Sequence, residues 1–416
     1  MQLCLGSVPG HCPIVDRPQR TFALFTTSAE HRAGTLFALL LLAASPVAAQ
    51  QSAPPIDFSG VIYPQFRYAT DAAARAANGG NAPNKFDIER VYLTFRMPAG
   101  EKGSIRVTAD VFNNSTACTS CYAGWGVRMK YAYFNYNFLN NIGGKSGFNA
   151  SARIGMLHTA IIDQVESHWP RWVSQSAAER AGFFSSADVG AAAIVTLPSS
   201  WGEVYTTVAN GPGYQTAEND PYKDWSARVS LTPFAKRKDV WKSLVVSPWA
   251  YSGKTASKFI GAQGAAGTDA ANGLERDRAG IFVALKDRRV TAGIDIGRRT
   301  ETVESGTTLA ARTTTMNTGK LTSAFALVRP IELARGGSAR SRLVLLGRVD
   351  QVRPFSSTTV AGAQTTSAKT QLLIAGAAWD LSQRVTFSLD LQHFKPSSGS
   401  TATESKIFFL HGQVSF

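Results

Sequence analysis

From residue 58 to Phe416 the chain alternates polar with apolar side chains, and few folds accept that pattern over such a length. In "RVYLTFRM", Val91, Leu93, Phe95 and Met97 fall on one side, and Arg90, Tyr92, Thr94 and Arg96 on the other. "SIRVTADV", "DWSARVSL" and "RVTFSLDLQHF" repeat the arrangement. A period of two is the geometry of a strand whose faces meet different surroundings. No long helical stripe accompanies it. After residue 50 no apolar run approaches the ~18 residues that a membrane-spanning helix needs.

The connections alternate in length. Short ones at 98–103, 140–147, 198–202, 234–241, 287–288, 330–341 and 380–383 alternate with long ones at 69–85, 113–126, 158–187, 211–223, 253–278, 300–318, 353–367 and 395–404. This spacing predicts about sixteen strands. The ninth, near "KSLVVSPWAYSG", is weakened by Pro248, which has no N–H to give a ladder.

The amino end reads differently. "HRAGTLFALLLLAASPVAAQQ" places Arg32 before an apolar stretch and ends in small residues, the pattern of a secretory signal peptide cut after Ala49. Residues 1–49 are therefore expected to be an N-terminal extension and leader, and 50–57 a short periplasmic lead-in. The formal net charge is +14, and the leader accounts for only one unit of it, so the basic bias belongs to the exported part. Cys118 and Cys121 remain after cleavage, in a compartment where a disulfide persists. Tyr122 stands where haem attachment would want His, and no further Cys or His lies close enough for a zinc site. The pair is read as a loop staple. No metal or cofactor is expected.

A sandwich or β-helix also alternates. The leader, the alternating connection lengths and the last strand favour an all-β, transmembrane, antiparallel up-and-down barrel over residues 58–416. It has short periplasmic turns and long outer loops. In "KIFFLHGQVSF", Phe408, Leu410, Val414 and Phe416 share the outer face. A closed barrel pairs its first and last strands, because lipid tolerates no open edge.

A terminal Phe416 behind alternating apolar residues resembles the assembly signal of bacterial outer-membrane proteins. The stretches "FDIERVYLTFRMPAGEKGSIRVTADVF", "SARIGMLHTAIIDQVESHW" and "FFSSADVGAAA" are similar in layout to the phosphate-selective porin O/P family. The resemblance implies an outer-membrane porin of a Gram-negative bacterium. It implies contact with outer-membrane lipid and with the barrel-assembly machinery through the last strand, and a homotrimer.

A pore acts through its lining. Taking each polar face as the lumen puts Arg67, Arg90, Arg96, Arg106, Arg128, Lys130, Arg153, Arg228 and Arg348 inward, where they favour small anions, phosphate among them. Acids on the same faces compete for them, as Asp110 with Arg106 or Asp350 with Arg348. Strict alternation leaves Glu89 on the apolar side with Val91. The long connection 158–187 carries Trp169, Trp172, Phe183 and Phe184. It is expected to fold into the barrel and to present Asp163, Glu166, His168, Arg171 and Arg180 at a constriction; the other reading is a cap over the outer mouth. Tyr131, Tyr133, Trp225, Trp249 and Trp379 are candidates for the two aromatic girdles.

The function expected is passive diffusion of small hydrophilic solutes, anions preferred. The alternatives are a plugged structural or adhesion barrel and, more remotely, an outer-membrane hydrolase. No Gly-x-Ser-x-Gly elbow accompanies His158, His168, His393 or His411, so no catalytic residue is assigned. No nucleic-acid partner is expected.

Overall fold

The computed structural model describes residues 55–113, 124–144, 147–218, 220–258, 273–308, 311–335, 341–359, 364–366, 369–397 and 402–416. Residues 1–49, expected to form a leader, and the Cys118–Cys121 pair lie outside the described residues.

The strands are β1 (Asp57–Ala69), β2 (Asn84–Ala99), β3 (Gly103–Asn113), β4 (Trp125–Ile142), β5 (Phe148–His158), β6 (Ala187–Leu197), β7 (Gly202–Ala209), β8 (Asp224–Leu231) and β9 (Val245–Thr255). They continue as β10 (Leu274–Lys286), β11 (Val290–Ser305), β12 (Thr313–Val328), β13 (Leu343–Thr359), β14 (Gln364–Thr366), β15 (Thr370–Asp380), β16 (Val385–Pro396) and β17 (Ser405–Ser415). Three-residue β14 is a short extension on β13 within an outer connection, so β13 also pairs directly with β15. Sixteen strands form the wall, each antiparallel to the next. β1 closes it against β17, from Val61 opposite Ser415 to Ala69 opposite Ile407. Among the described residues no helix is long and apolar enough to cross a membrane.

Phe416 completes the seam. Its carbonyl accepts from the Gly60 N–H at 2.9 Å and its own N–H donates to the Gly60 carbonyl at 3.0 Å. Its ring lies over Gly60, where a Cβ would come within 2.2 Å of Phe416 Cζ. Phe58, exposed on the outer face, has its ring centre 6.0 Å from that of Phe416.

Two bulges alter the expected faces. Between Ile62 opposite Val91 and Pro64 opposite Ile88, β2 carries one residue more than β1. Glu89 and Arg90 both turn inward there, which removes the conflict of an acid on the lipid side. Between Thr108 opposite Tyr131 and Ala109 opposite Met129, Lys130 is the extra residue of β4. Lys130 and Tyr131 both become buried inside. A bulge re-aims side chains in this way because two residues oppose one across the ladder.

Pro248 does not abolish β9. The strand runs its full length against β10, with Pro248 opposite Ile281. The β8 ladder passes from Arg228 opposite Trp249 to Leu231 opposite Val246, skipping the pair at Pro248. Two outer connections are shorter than the sequence suggests. β10, β11 and β12 extend beyond the expected ends, so the connections there are 256–273 and 306–312.

The apolar core lies inside the barrel, between connection 159–186 and the wall from β9 to β15. Ile161, Trp169, Phe183 and Phe184 pack on Trp249, Phe282, Leu321, Phe325 and Ile374. Stretches of these strands are therefore apolar on both faces. "GIFVAL" and "QLLIAG" read as continuous hydrophobic runs, the mark of a strand covered on both sides.

Candidate functional site

The connection 159–186 runs inside the barrel and is tied to the wall at many points. Arg228 on β8 donates to the Ala160 carbonyl at 2.6 Å and to Asp163 at 3.1 Å. Arg348 on β13 donates to the Gln175 carbonyl at 2.7 Å, holds Asp350 with two bonds of 2.8 Å, and places its guanidinium 5.1 Å from the Trp169 ring centre. Arg180 reaches Asp350 at 2.8 Å, and Gln392 on β16 donates to the Val173 carbonyl at 3.0 Å. The Trp169 ring lies 5.5 Å from that of Phe325, tilted by 59°, and Phe184 meets Trp249 edge-on. Two helical turns order the loop, Ile162–Glu166 and Ala177–Arg180; Ser176 caps the second by accepting from the Glu179 N–H.

Arg228 and Arg348 point inward, as the alternation predicts, but the loop covers them. Their hydrogen bonds satisfy loop carbonyls that would otherwise be buried without partners. Arg180 likewise turns to the β13 wall. His168 lies against Phe282 and bonds Ser167 and the Gln164 carbonyl. Arg171 sits among three carboxylates: Glu89 at 2.8 Å, Glu166 at 3.3 Å and Glu179 at 3.8 Å.

Beside the loop a cavity of ≈ 580 Å³ remains, lined by Tyr63, Tyr92, Thr94, Arg106, Lys130, Tyr131 and His158 from the wall and by Asp163, Glu166 and Arg171 from the loop. A second space of ≈ 660 Å³ shares Pro170, Trp172, Lys286, Thr291 and Leu327 with it and extends to the turn at Asp287–Arg289. The two spaces adjoin, and the second reaches the periplasmic end of the wall.

The cations of this wall differ in their partners. Asp110 is shared by Arg128 at 2.9 Å and Arg90 at 3.9 Å, and Arg106 is elsewhere. Arg106 bonds Thr108 at 3.2 Å and His158 at 3.3 Å, and lies 4.7 Å over Tyr131. Lys130, 3% exposed, donates to the Tyr92 hydroxyl at 3.1 Å. Arg153 donates to Asn135 at 3.0 Å and lies 5.0 Å over Tyr133. Among the described residues, no carboxylate comes within 4.0 Å of Arg106, Lys130 or Arg153. Across the cavity, burial pushes the Glu166 carboxyl up to about 7, against the opposing pull of Lys130 and Arg171. Asp163 is raised for the same reason, with Arg228 opposing.

The remaining sequence candidates lie toward the ends. Arg96 is 3.7 Å from Asp57 at the periplasmic rim. Arg67 lies near the outer end of β1, opposite Lys85 and Phe409. Tyr131, Tyr133 and Trp249 are inside, not in a girdle: Tyr131 stacks on His158 at 3.9 Å, and Trp249 is buried under the loop. Trp225 and Trp379 are exposed outward, near opposite ends of the wall.

Sequence reasoning missed Arg276, Arg278 and Arg299, which face inward on β10 and β11. Arg276 pairs with Asp224, and Arg278 with Glu301 at 2.6 Å while lying 4.5 Å over Tyr251. The signal is present in "ERDRAGIF", whose alternation continues into the long connection expected at 253–278. No triad is assembled at His411. Its Nε2 lies 3.5 Å from Asp390, but the Ser388 hydroxyl donates to that same carboxylate at 3.0 Å. Among the described residues no group of three His, Cys, Asp or Glu is placed to hold a metal ion.

No family model matches the chain, and no curated protein matches it in sequence. Solved structures do. The outer membrane channel DcaP of Acinetobacter baumannii superposes with a TM-score of 0.55 at 10% identity, over 88% of this chain and 98% of that one. OmpF of Salmonella typhi, in complex with daunomycin, gives 0.53 at 11% identity, over 88% and 98%. The trimer form of OmpT, an outer membrane protein of Vibrio cholerae, gives 0.52 at 9% identity, over 88% and 100%. The chain thus shares the closed, sixteen-strand antiparallel barrel fold of these outer-membrane structures.

Proposed function

We propose that this protein is an outer-membrane channel for passive diffusion of small hydrophilic solutes, with a preference for small anions. The observation that carries this is the route beside the loop, on whose wall Arg106 and Lys130 have no carboxylate partner among the described residues. Most other inward arginines are neutralised by a neighbouring acid, so the net field of the route comes from these two, from Lys286, whose ammonium donates to the Ser167 carbonyl at 2.7 Å, and, below them, from Arg153. In this reading Asp163, Glu166 and Arg171 are the loop's contribution to the constriction, and Arg90, Arg128 and Arg67 line the outer vestibule. Arg228, Arg348, Arg180 and His168 hold the loop. Guanidinium and ammonium groups beside tyrosine hydroxyls suit an oxyanion such as phosphate, which accepts several hydrogen bonds at once.

The test is conductance in a planar bilayer. Open steps are expected, with a zero-current potential biased to chloride under a KCl gradient and partial block by millimolar phosphate. A cation-biased potential would remove the anion preference, and absence of conductance from folded protein would remove the channel. The plugged alternative predicts that absence. Export by a leader cut after Ala49 and assembly as a homotrimer belong to the same proposal. N-terminal sequencing and the mass of the detergent-solubilised assembly decide them.

A further inference from the structure

The outward faces of β1 to β8 carry no Arg, Lys, Asp or Glu among the described residues. The other half of the wall carries outward charges, Lys254, Glu275, Asp277 and Lys406 among them, and five of its cations form a row at one height. Arg298 on β11 stands opposite Lys320 on β12, and Lys320 opposite Arg353 on β13. The row continues at Lys369, just before β15, and at Lys395 on β16, which is opposite Gln371. Arg298, Lys320 and Lys395 are exposed. Among the described residues none of the five has a carboxylate within 4.0 Å, and Arg353 Nε is buried without a hydrogen-bond partner.

The row has a definite place in the wall. On the periplasmic side of each cation the outward residues become apolar and exposed: Ile296, Val349, Leu373 and Leu389. On the other side the strands lead into the outer connections. Like charges side by side on adjacent strands repel, and charge on a lipid face is tolerated only near the interface. A row of five cations without acids repels itself, and an anion seated among them would relieve that repulsion. The nearest outward acids are at the margins: Asp277 and Glu275 on β10, and Glu404, which His393 holds at 2.5 Å.

A groove of ≈ 570 Å³ opens between these cations, with Gln351 and Gln371 on its floor. A second, apolar trough of ≈ 450 Å³ meets it at Lys320 and Thr322 and descends past Arg298 between Ala279, Ile281 and Ile296. Headgroup-sized polar space above and a slot of small apolar residues below are the two halves of a lipid.

We propose that this face binds a phosphorylated lipid of the outer leaflet, its phosphate held by Lys320, Arg353, Lys369 and Lys395 and an acyl chain laid along the trough beside Ile296. The row spans roughly 19 Å, four interstrand steps of ~4.8 Å, enough for a headgroup with two phosphates. The inference rests on the outer-membrane reading and is independent of conduction.

The test uses the full chain folded in detergent. Diphosphoryl lipid A, its dephosphorylated form and inorganic phosphate are offered in turn, and retained ligand is counted by native mass spectrometry. Phosphorylated lipid should be retained, and about tenfold more weakly by the triple variant Lys320→Gln, Arg353→Gln, Lys395→Gln, since each cation near an anionic surface adds to attraction. The variant should keep the parent's conductance and its heat-modifiable migration on gels. Should the triple variant fail to fold, Lys320→Gln and Lys395→Gln are compared singly, each expected about twofold to threefold weaker. Unchanged retention by the variants overturns the proposal. So does equal retention of the dephosphorylated lipid, or displacement by millimolar inorganic phosphate, which would mark a free-anion site. Loss of conductance with lipid binding intact would count against the channel and leave this site standing.

Discussion

Arg171 in the infolded loop donates to Glu89 on β2 at 2.8 Å, across the bore from the strands that hold the rest of the loop. The contact exists because the β2 bulge turns Glu89 inward. Arg171 is 7% exposed and is the cation shared by Glu89, Glu166 and Glu179. Removing one partner of a buried pair leaves uncompensated charge, a cost of about 3–5 kcal/mol. Arg171→Gln is expected to release this edge of the loop, giving noisier single-channel currents and a lower unfolding temperature. Quiet currents at the parent's conductance would show that the edge is held by other contacts.

Selectivity should follow the unpaired wall cations. Arg106→Gln with Lys130→Gln is expected to reduce the anion-to-cation permeability ratio by about twofold or more at 0.1 M salt, where the Debye length is ~10 Å, and by less at 1 M, where it is ~3 Å. Zero-current potentials at both salt concentrations check this. Arg348→Gln is the contrasting variant: it should lower stability and disturb the loop before it alters the charge preference.

The loop side should make selectivity depend on pH. With its carboxyl pushed up to about 7 by burial, Glu166 is charged above that value and takes up a proton as the pH falls through it. The constriction then loses one negative charge, so anion preference should rise between pH 8 and pH 6. Glu166→Gln should hold the high-preference value across that range. A pH dependence that survives the substitution would assign the titration to another group.

Trp169 is the deepest anchor of the loop, 1% exposed between Arg348 and Phe325. Trp169→Ala removes a large buried ring, which costs about 3–5 kcal/mol. The loss falls on the loop, because the wall's ladder does not include Trp169. The barrel is expected to keep its heat-modifiable gel migration while the loop becomes cleavable by added protease. Resistance equal to the parent's would mean that the polar ties alone hold it.

The seam offers a test of closure. Gly60→Val would drive a side chain into the Phe416 ring and is expected to lower the yield of folded barrel in detergent refolding, whereas Phe416→Ala in the same background should restore part of it. Gel-shift yields of the single and double variants check this coupling.

The alternation of "RVYLTFRM" and its counterparts determined the strands, their number and their closure, because a period of two allows one face for lipid and one for water and lipid admits no free edge. It also placed Arg106, Arg128 and Arg153 on the inner face. It did not reveal that Glu89 and Tyr131 turn inward, since a bulge adds one residue to one strand and shows only in the register with its neighbour. Nor did it separate Arg348 from Arg106, two inward arginines with the same local pattern. Only the tertiary structure did so, by laying residues 159–186 against β9 to β15: one arginine is covered by loop carbonyls, and the other is left beside open space. Which inner faces are covered depends on contacts between segments up to 219 positions apart, as between Val173 and Gln392, and no local period encodes those.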